Sequence, residues 1–205
     1  MVLHMRAKDF FNIDEIFRFK GIFDRELGPW EWVKLVGMAL EGVDFSQSER
    51  YKIPPGLFVG EKVFFERGVK LPHFGTIEGP AYIGEGSELR PGVYIRQNVI
   101  VGKRCVLGNS CEFKNCLLLN DVQAPHFNYV GDSILGNHSH LGAGVILANL
   151  RLDSQPIRVK TLNGFIDTGM RKLGAVLGDS AQVACNSVLN PGTLVKPHQH
   201  VLPRR

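Results

Sequence analysis

The feature that most constrains the fold of this chain is a large apolar residue at every sixth position. The period runs unbroken from residue 53 to residue 119, and it resumes at Leu135 and again at Leu177. An α-helix cannot place such residues on one face, because six is not a multiple of its 3.6-residue turn. The unbroken run consists of Ile53, Val59, Phe65, Leu71, Ile77, Ile83, Leu89, Ile95, Val101, Leu107, Phe113 and Leu119.

Short strands joined by tight corners explain the period. Glycine often follows the apolar residue, as at Gly84, Gly102 and Gly108, and glycine permits sharp changes of chain direction. Each hexapeptide is therefore predicted to form one side of a triangular prism, with its apolar residue pointing inward. Three hexapeptides complete a coil, and coils stack about 4.8 Å apart through parallel strand pairing. The predicted fold class is all-β, a single-stranded parallel β-helix over residues 53–200.

The period is interrupted twice. From Leu119 to Leu135 the step is out of register with six, which predicts that residues 120–131 leave the prism wall as a loop. A second loop is predicted over residues 150–172, where Asn163-Gly164 lies between two short runs and is a hairpin signal. Loops that protrude from a regular solenoid are usual places for function.

Residues 1–52 lack the period and form a predicted helical appendage. One helical stretch is aromatic-rich, and a second helix is predicted over residues 30–40 with Pro29 at its start. We expect the appendage to cap an open end of the β-helix, which would block edge-to-edge association of strands. Support of oligomerisation is the alternative. The first stretch contains Phe10, Phe11, Ile13, Ile16, Phe17 and Phe19.

The charge balance argues against a nucleic-acid partner. The net charge is +4, from 24 basic and 20 acidic residues, whereas nucleic-acid binding favours a strongly basic stripe. A local cationic pocket for an anionic small molecule remains compatible with this balance. No apolar run approaches the roughly 20 residues that cross a bilayer, and Arg6, Lys8 and Asp9 interrupt any signal-peptide pattern. We therefore expect a cytoplasmic protein without a membrane partner.

The cysteines and histidines do not have the spacing of a metal site. Four cysteines fall among apolar repeats, so we expect them to be reduced and buried. A zinc hydratase is an alternative, because alternate residues of a strand share a face, but it needs three histidines that meet between subunits. We predict no metal. The residues concerned are Cys105, Cys111, Cys116 and Cys185, and the pairs His138 with His140 and His198 with His200.

Two basic residues are predicted to stack. Lys114 follows Arg96 by one full coil, which places both on the same face about 4.8 Å apart at the backbone. Two cations that close repel by about 4 kcal/mol in a partly screened site, and a bound phosphate would turn this repulsion into attraction. The alternative is that both side chains extend into solvent.

Other polar residues cluster in and after the first predicted loop. His126 is suited to accept a proton near neutral pH, although a loop histidine can also be merely exposed. Tyr129 is a plausible donor, Asn149 could bind a substrate oxygen or cap a turn, and Asp132 could orient a catalytic group or be an ordinary turn acid.

These residues carry a resemblance to a known family. Glu112-Phe113-Lys114, His126 to Asp132, Leu141 to Gly144 and Asn149 are similar in order and spacing to the acetyltransferase domain of the bifunctional glucosamine-1-phosphate acetyltransferase / N-acetylglucosamine-1-phosphate uridyltransferase family. Residues 169–179 resemble the version fused to archaeal sugar-1-phosphate nucleotidylyltransferases. The resemblance covers residues 75–195, and residues 1–52 contain nothing like a Gly-rich nucleotide loop. The coils of this hexapeptide-repeat superfamily are left-handed, against the general preference for right-handed crossovers.

The resemblance implies an acetyl-CoA-dependent N-acetyltransferase acting on an amino sugar 1-phosphate, in the synthesis of nucleotide sugars such as UDP-N-acetylglucosamine. It also implies a homotrimer with sites between prisms. The implied roles are His126 as general base, Arg96 and Lys114 for the sugar phosphate, Tyr129 and Asn149 for the sugar, the backbone N–H of Ala143 for the thioester oxygen, and Cys185, Arg171 and Lys172 together with Ala143 for CoA.

The chain departs from the family pattern at several positions. His140 stands where the family usually has Asn, so we expect it to alter the substrate or acyl pocket. Arg90 belongs to a family-like Arg-Pro-Gly triplet that lies one hexapeptide too early, so it ranks below Arg96 as the stacked cation. Such departures would also fit a non-catalytic trimeric β-helix scaffold or regulatory subunit related to sugar-phosphate nucleotidylyltransferases.

Overall fold

The computed structural model describes residues 5–13, 18–161 and 164–203. The one α-helix of this part of the chain is α1 (Trp32–Glu41), and 3-10 helices span Ala7–Asp9, Pro29–Glu31 and Phe45–Gln47. The strands are β1 (Gly56–Val59), β2 (Val63–Phe65), β3 (Phe74–Ile77), β4 (Ala81–Ile83), β5 (Glu88–Leu89), β6 (Val93–Ile95), β7 (Val99–Val101), β8 (Val106–Asn109), β9 (Glu112–Lys114), β10 (Cys116–Leu118), β11 (Gln123–His126), β12 (Tyr129–Gly131), β13 (Ile134–Leu135), β14 (His140–Leu141), β15 (Ile146–Leu147), β16 (Arg158–Thr161), β17 (Gly164–Asp167), β18 (Ala175–Leu177), β19 (Gln182–Val183), β20 (Val188–Leu189), β21 (Thr193–Val195) and β22 (His200–Val201).

Three parallel sheets form the three walls of a prism, which confirms the predicted left-handed parallel β-helix. Sheet A has the order β1-β3-β6-β9-β12-β15-β20, sheet B the order β2-β4-β7-β10-β13-β18-β21, and sheet C the order β5-β8-β11-β14-β19-β22. The chain passes from A to B to C in each coil. Side chains at the six-residue positions point inward and are fully buried at Ile77, Ile95, Leu107 and Phe113, because only one side of each short strand faces the prism axis.

The predicted loop at residues 120–131 is wrong. This segment stays in the wall, since β11 pairs with β8 and β14, and β12 pairs with β9 and β15. Two sides of the prism simply contain one residue fewer than the others. The inward positions run from Phe113 to Leu118 and from Val130 to Leu135 in steps of five. Leu119, predicted to point inward, packs instead in the second hydrophobic cluster outside the prism.

An insertion over residues 150–172 leaves the prism between sheets A and B. It contains the antiparallel pair β16–β17, and its ends are joined by an antiparallel bridge between Leu150 and Lys172. Of the predicted Asn163-Gly164 turn, Asn163 lies outside the described residues. Ile157 and Val159 are fully buried against the outer surface of sheet B, so the insertion folds back onto the prism instead of extending into solvent.

The N-terminal segment covers a wall and does not cap an end of the prism. Its apolar side chains, including Phe23 and Trp32, join one cluster with the outward residues of sheet B. Sheet B is apolar on its outer side as well as its inner side, so this wall needs a cover, and the segment supplies it together with the insertion. Six outward residues of sheet B are each at most 5 % exposed and Leu194 is half-buried; the six are Phe64, Tyr82, Ile100, Leu117, Ile134 and Val176.

The aromatic-rich stretch of residues 10–19 differs from the prediction. Its described residues form turns and irregular structure after the 3-10 helix Ala7–Asp9, and Ile16 and Phe17 lie outside the described residues. The stretch is anchored by Asp179, whose backbone N–H donates to the Phe10 carbonyl and whose carboxylate accepts from the Asn12 N–H at 2.8 Å. No helix among the described residues is long and apolar enough to span a membrane.

Candidate functional site

One corner of the prism, where sheet C passes into sheet A, brings three predicted site residues into a column. His126, Ala143 and Cys185 occupy equivalent places in three successive coils, and we call them the corner column. The Gly144 N–H donates to the His126 carbonyl at 3.1 Å, and the Asn186 N–H donates to the Ala143 carbonyl at 2.8 Å. An imidazole, a backbone N–H and a thiol are thereby aligned along one edge of the molecule.

His126 is accessible at this corner. It ends β11, its side chain is exposed, and the following Phe127 is 58 % exposed with a φ of +52°. That left-handed conformation is uncommon for an aromatic residue, and the same place in the adjacent coils is taken by Ser110 and Gly144, both also with positive φ. The His126 and Phe127 ring centroids are 6.4 Å apart. The histidine can therefore meet a molecule that approaches from solvent.

Cys185 corrects the prediction of four buried thiols. Cys105, Cys111 and Cys116 are buried inside the prism, but Cys185 is exposed, because it follows the inward Val183 by two residues and lies at the corner. Burial raises the pKa of the Cys105 thiol to about 12, which keeps that residue protonated and unreactive.

A second group surrounds the carboxylate of Asp132 at the corner between sheets A and B. We call Lys114, Asn115, Tyr129, Asp132 and Asn149 the Asp132 cluster. The Asp132 side chain is 5 % exposed and accepts from Lys114 Nζ at 3.1 Å, from Asn115 Nδ2 at 2.8 Å and from Asn149 Nδ2 at 2.5 Å. Asp132 was not among the predicted substrate-binding residues. Its spacing of 18 residues from Lys114, the expected length of one coil, was the available signal in the sequence.

Tyr129 joins the cluster through Asn149, whose Nδ2 donates to the tyrosine hydroxyl at 3.1 Å. Burial, the main cause, raises the pKa of Tyr129, and the Glu112 charge raises it further, so the hydroxyl stays protonated at neutral pH. Gly131 makes the contact possible, because a Cβ there would lie 2.5 Å from the Tyr129 hydroxyl and 2.7 Å from Asn149 Nδ2.

The prediction that Arg96 and Lys114 repel each other is wrong. Arg96 and Lys114 do lie at the same corner in successive coils, but each has a carboxylate partner. Arg96 Nη1 is 2.9 Å from Glu112 Oε1, and Lys114 is bound to Asp132. The hydrogen bond that Arg96 donates to Glu112 raises the pKa of Arg96. The repulsion is cancelled because an acid follows each base about one coil later.

The corner column and the Asp132 cluster lie at opposite ends of the strands of sheet A. β12 connects them, with His126 before the strand and Asp132 after it. Six residues separate the two, at most about 20 Å of extended chain. The structure thus places His126 at one corner of sheet A and the Asp132 cluster with Arg96 at the other, and His126 and Lys114 do not contact each other.

The remaining predicted residues lie apart from both groups. His140 is on the outer surface of sheet C, in register with Gln123 and Gln182. Arg171 and Lys172 are exposed at the end of the insertion. Lys172 is nevertheless close to the Asp132 cluster in the chain path, because the next residue, Leu173, donates its N–H to the Asn149 carbonyl at 3.0 Å.

The position of His140 gives a testable pH dependence. Burial lowers the pKa of His140 below its usual 6.5, so the unfolded chain takes up this proton at a higher pH than the folded chain. The residue has no effect on stability above pH 6.5, and it lowers stability as the pH falls through 6.5 toward the folded-state pKa. We expect the melting temperature of the parent to fall more between pH 7.5 and 5.5 than that of His140→Gln. Parallel melting curves over this range would contradict the assignment.

The histidine pairs do not assemble a metal site in the described residues. No three His, Cys, Asp or Glu side chains converge in residues 5–13, 18–161 and 164–203. His138 has an acidic neighbour, with its Nδ1 3.9 Å from Asp121.

Comparisons with known proteins agree with the repeat and the motifs. Residues 77–204 match the family described as GMPPB C-terminal domain. The chain is 30% identical over 201 residues to the bifunctional sugar-1-phosphate nucleotidylyltransferase/acetyltransferase of Sulfurisphaera tokodaii, an alignment that covers 98% of this chain and 49% of that protein. It is 37% identical over 133 residues to the bifunctional protein GlmU of Methanococcus vannielii, which covers 65% of this chain and 32% of that protein.

The chain spans about half or less of the length of these relatives. Among solved structures, a Bacillus cereus protein, the product of the BC4754 gene, superposes with a TM-score of 0.53 at 17% identity and covers 70% of this chain and 74% of that chain. That likeness shows the β-helix fold alone. The resemblance inferred from the motifs is confirmed by the family match and by these relatives.

Proposed function

Since the chain belongs to the GMPPB C-terminal domain family, we propose that it is an acetyl-CoA-dependent acyltransferase that acetylates the amino group of an amino sugar 1-phosphate. One observation carries the proposal: an accessible histidine and the outward edge of a backbone amide lie in one column, across sheet A from a polar cluster. The name of the Sulfurisphaera tokodaii relative combines a sugar-1-phosphate nucleotidylyltransferase with an acetyltransferase, and it supports the same reaction class.

His126 acts as the general base in this proposal. A neutral amine attacks a thioester carbonyl, and the base takes the proton that the nitrogen loses, a role that suits an imidazole near neutral pH. Acetyl-CoA would supply the acyl group as its thioester. The corner column is open to that co-substrate, because Cys185 is exposed and Ala143 is half-buried, so both would line its path to His126.

Ala143 stabilises the developing negative charge. When the amine adds to the carbonyl carbon, the carbonyl oxygen becomes an oxyanion, and a fixed backbone N–H lowers its energy without reorganising. Ala143 is half-buried at the corner, next to His126 in the adjacent coil. The proton accepted by His126 then returns to the leaving thiolate, so the imidazole is neutral again after each turnover.

The Asp132 cluster and Arg96 hold the sugar phosphate in this proposal. Arg96 engages Glu112 through Nη1, and a guanidinium has further N–H donors that suit phosphate oxygens. Tyr129 and Asn149, fixed by their mutual hydrogen bond, orient the sugar hydroxyls. Arg171, Lys172 and His140 would contact the more distant parts of the two substrates.

We also propose a homotrimer with sites between neighbouring prisms. Several apolar side chains on or beside the outer surface of sheet A remain exposed in the single chain, among them Phe58 at 60 % and Val188 at 62 %. Burial of such side chains is the usual driving force of association. Sedimentation equilibrium would test the state, and a monomer at micromolar concentration would contradict it.

The proposed activity is tested by measuring free CoA after incubation with acetyl-CoA and glucosamine 1-phosphate. Chromatographic separation of CoA is preferable to a thiol dye, because the exposed Cys185 would react with the dye. Unphosphorylated glucosamine and an acceptor-free sample serve as controls. CoA release no faster than background hydrolysis, across a panel of amino sugar phosphates, would overturn the proposal.

Replacement of Arg96 by alanine tests the phosphate site. We expect Arg96→Ala to raise the KM for the sugar phosphate about 10- to 100-fold, the loss of a hydrogen bond between charged groups, with the KM for acetyl-CoA unchanged. Arg104→Ala is the matched control, because Arg104 pairs with Asp121 of the next coil at 2.7 Å, as Arg96 pairs with Glu112, but at the corner between sheets B and C. Equal effects of the two variants would rule out a specific role for Arg96.

The alternative is a non-catalytic trimeric scaffold or regulatory subunit. It is favoured by one observation, namely that Arg96 and Lys114 are already neutralised by Glu112 and Asp132. A trimer without turnover on any acceptor of the panel would support it.

A further inference from the structure

Asn128 lies between His126 and the Ala143 N–H, which carry the chemistry of the proposed reaction. Its side chain is 3 % exposed, beneath the corner at which sheet C passes into sheet A. Buried polar side chains are retained where their hydrogen bonds are satisfied and where they fix a particular arrangement. The partners of this side chain therefore indicate what it fixes.

Both ends of the Asn128 amide bind backbone groups, one of His126 and the other of Gly142, the residue before Ala143. Nδ2 donates to the Gly142 carbonyl at 2.8 Å, and Oδ1 accepts from the His126 N–H at 3.3 Å. The Asn128 backbone N–H donates to Cys111 Sγ at 3.2 Å. A single buried side chain thus ties the coil of His126 to the next coil, immediately before Ala143.

The bond to Gly142 determines where the Ala143 N–H points. The only cis peptide of the described residues is Gly79-Pro80, so the Gly142–Ala143 peptide is trans, and its N–H points opposite to its C=O. With the Gly142 carbonyl held inward by Asn128, the Ala143 N–H faces outward at the corner. A hydrogen bond to the carbonyl also polarises the peptide and makes its N–H a stronger donor.

We propose that Asn128 is a positioning residue that fixes the His126 backbone and the Ala143 N–H relative to each other. This inference rests on the proposed function, because it concerns the geometry of that same acyl transfer. Asn128 does not touch the reacting atoms. It acts through the two groups that do, and misplacement of such groups by about 1 Å can cost on the order of 100-fold in rate.

A purely structural role would look the same in the fold, and Ser87 provides the comparison. The Ser87 hydroxyl donates to the Gly102 carbonyl at 2.9 Å and accepts from the Cys105 N–H at 3.0 Å. It is fully buried and links two coils as Asn128 does, but it lies between sheets B and C, away from both site groups. Ser87→Ala also removes two hydrogen bonds between a buried side chain and the backbone, but it does not reach the site.

The test measures kcat and both KM values for Asn128→Leu, Asn128→Asp and Ser87→Ala. We expect Asn128→Leu to lower kcat about 10- to 100-fold with each KM changed less than about threefold. Asn128→Asp keeps the size and the acceptor oxygen but removes the donor to Gly142, so it should also lower kcat, and it serves if the leucine variant does not fold. Ser87→Ala should keep kcat within about twofold of the parent.

A double variant separates positioning from stability. If Asn128 acts through His126, the loss in His126→Ala/Asn128→Leu should be smaller than the product of the two single losses. A kcat of Asn128→Leu within twofold of the parent, a matching loss in Ser87→Ala, or multiplicative losses would overturn the inference alone. Absence of turnover in the parent protein would overturn the proposed function, and this inference with it.

Discussion

Replacing His126 with alanine should lower kcat for acetyl transfer by about 10²- to 10⁴-fold, the range that a general base contributes. The KM for acetyl-CoA should change little, because the imidazole acts on the amine and not on the cofactor. The side chain is exposed, so the variant should melt within a few degrees of the parent. Free CoA measured by chromatography and a melting curve together check this result.

The matched control is His73→Ala, which removes another exposed histidine several coils before the site. It should retain full turnover. If His126→Ala retains more than about a third of parental kcat, proton transfer by this residue is not part of the mechanism.

Replacing Phe113 with alanine should destabilise the protein by about 3–5 kcal/mol, the usual cost of removing a buried phenyl ring. Phe113 is fully buried, and it is among the largest side chains of the prism interior. Its neighbours are fixed in the stacked strands β6 and β12, one coil away on either side. The walls are hydrogen-bonded on both sides and cannot collapse into the space, so most of the cavity should remain.

Guanidinium and thermal denaturation check this value, with Phe165→Ala as the control. Phe165 is 63 % exposed on the hairpin strand β17, and its removal should cost less than about 1 kcal/mol. Similar losses for the two variants would mean that the interior of the prism relaxes, contrary to the rigid stacking described above.

The period of six predicted the β-helix because the inward residues depend only on local spacing. The same reasoning misplaced residues 120–131. Two sides of the prism have one residue fewer than six, and this moves the inward positions out of the six-residue period just as a loop would. Within the sequence, only the spacing of the apolar residues of this segment distinguishes the two cases. Ala124 and Val130 are inward and buried, and taken with Leu118 and Leu135 they restore the period once a step of five is allowed.

The site was predicted by resemblance more than by physical reasoning. Spacing correctly placed Arg96 and Lys114 at one corner, but it did not show that Glu112 and Asp132 neutralise them, because salt bridges form between side chains of neighbouring coils whose directions depend on the corner geometry. The covered wall was missed for a related reason. A second apolar column on sheet B, including Ile100 and Leu117, is hidden within the first when only every sixth residue is counted.

The covered wall has a consequence for symmetry. A closed ring of three identical subunits needs two different contact patches on each one, since every member meets its two neighbours through unlike surfaces. In the described part of the chain, sheet B is covered by the N-terminal segment and the insertion, whereas the outer surfaces of sheets A and C are open. The proposed homotrimer would use both open faces, because each of them would meet a different neighbour.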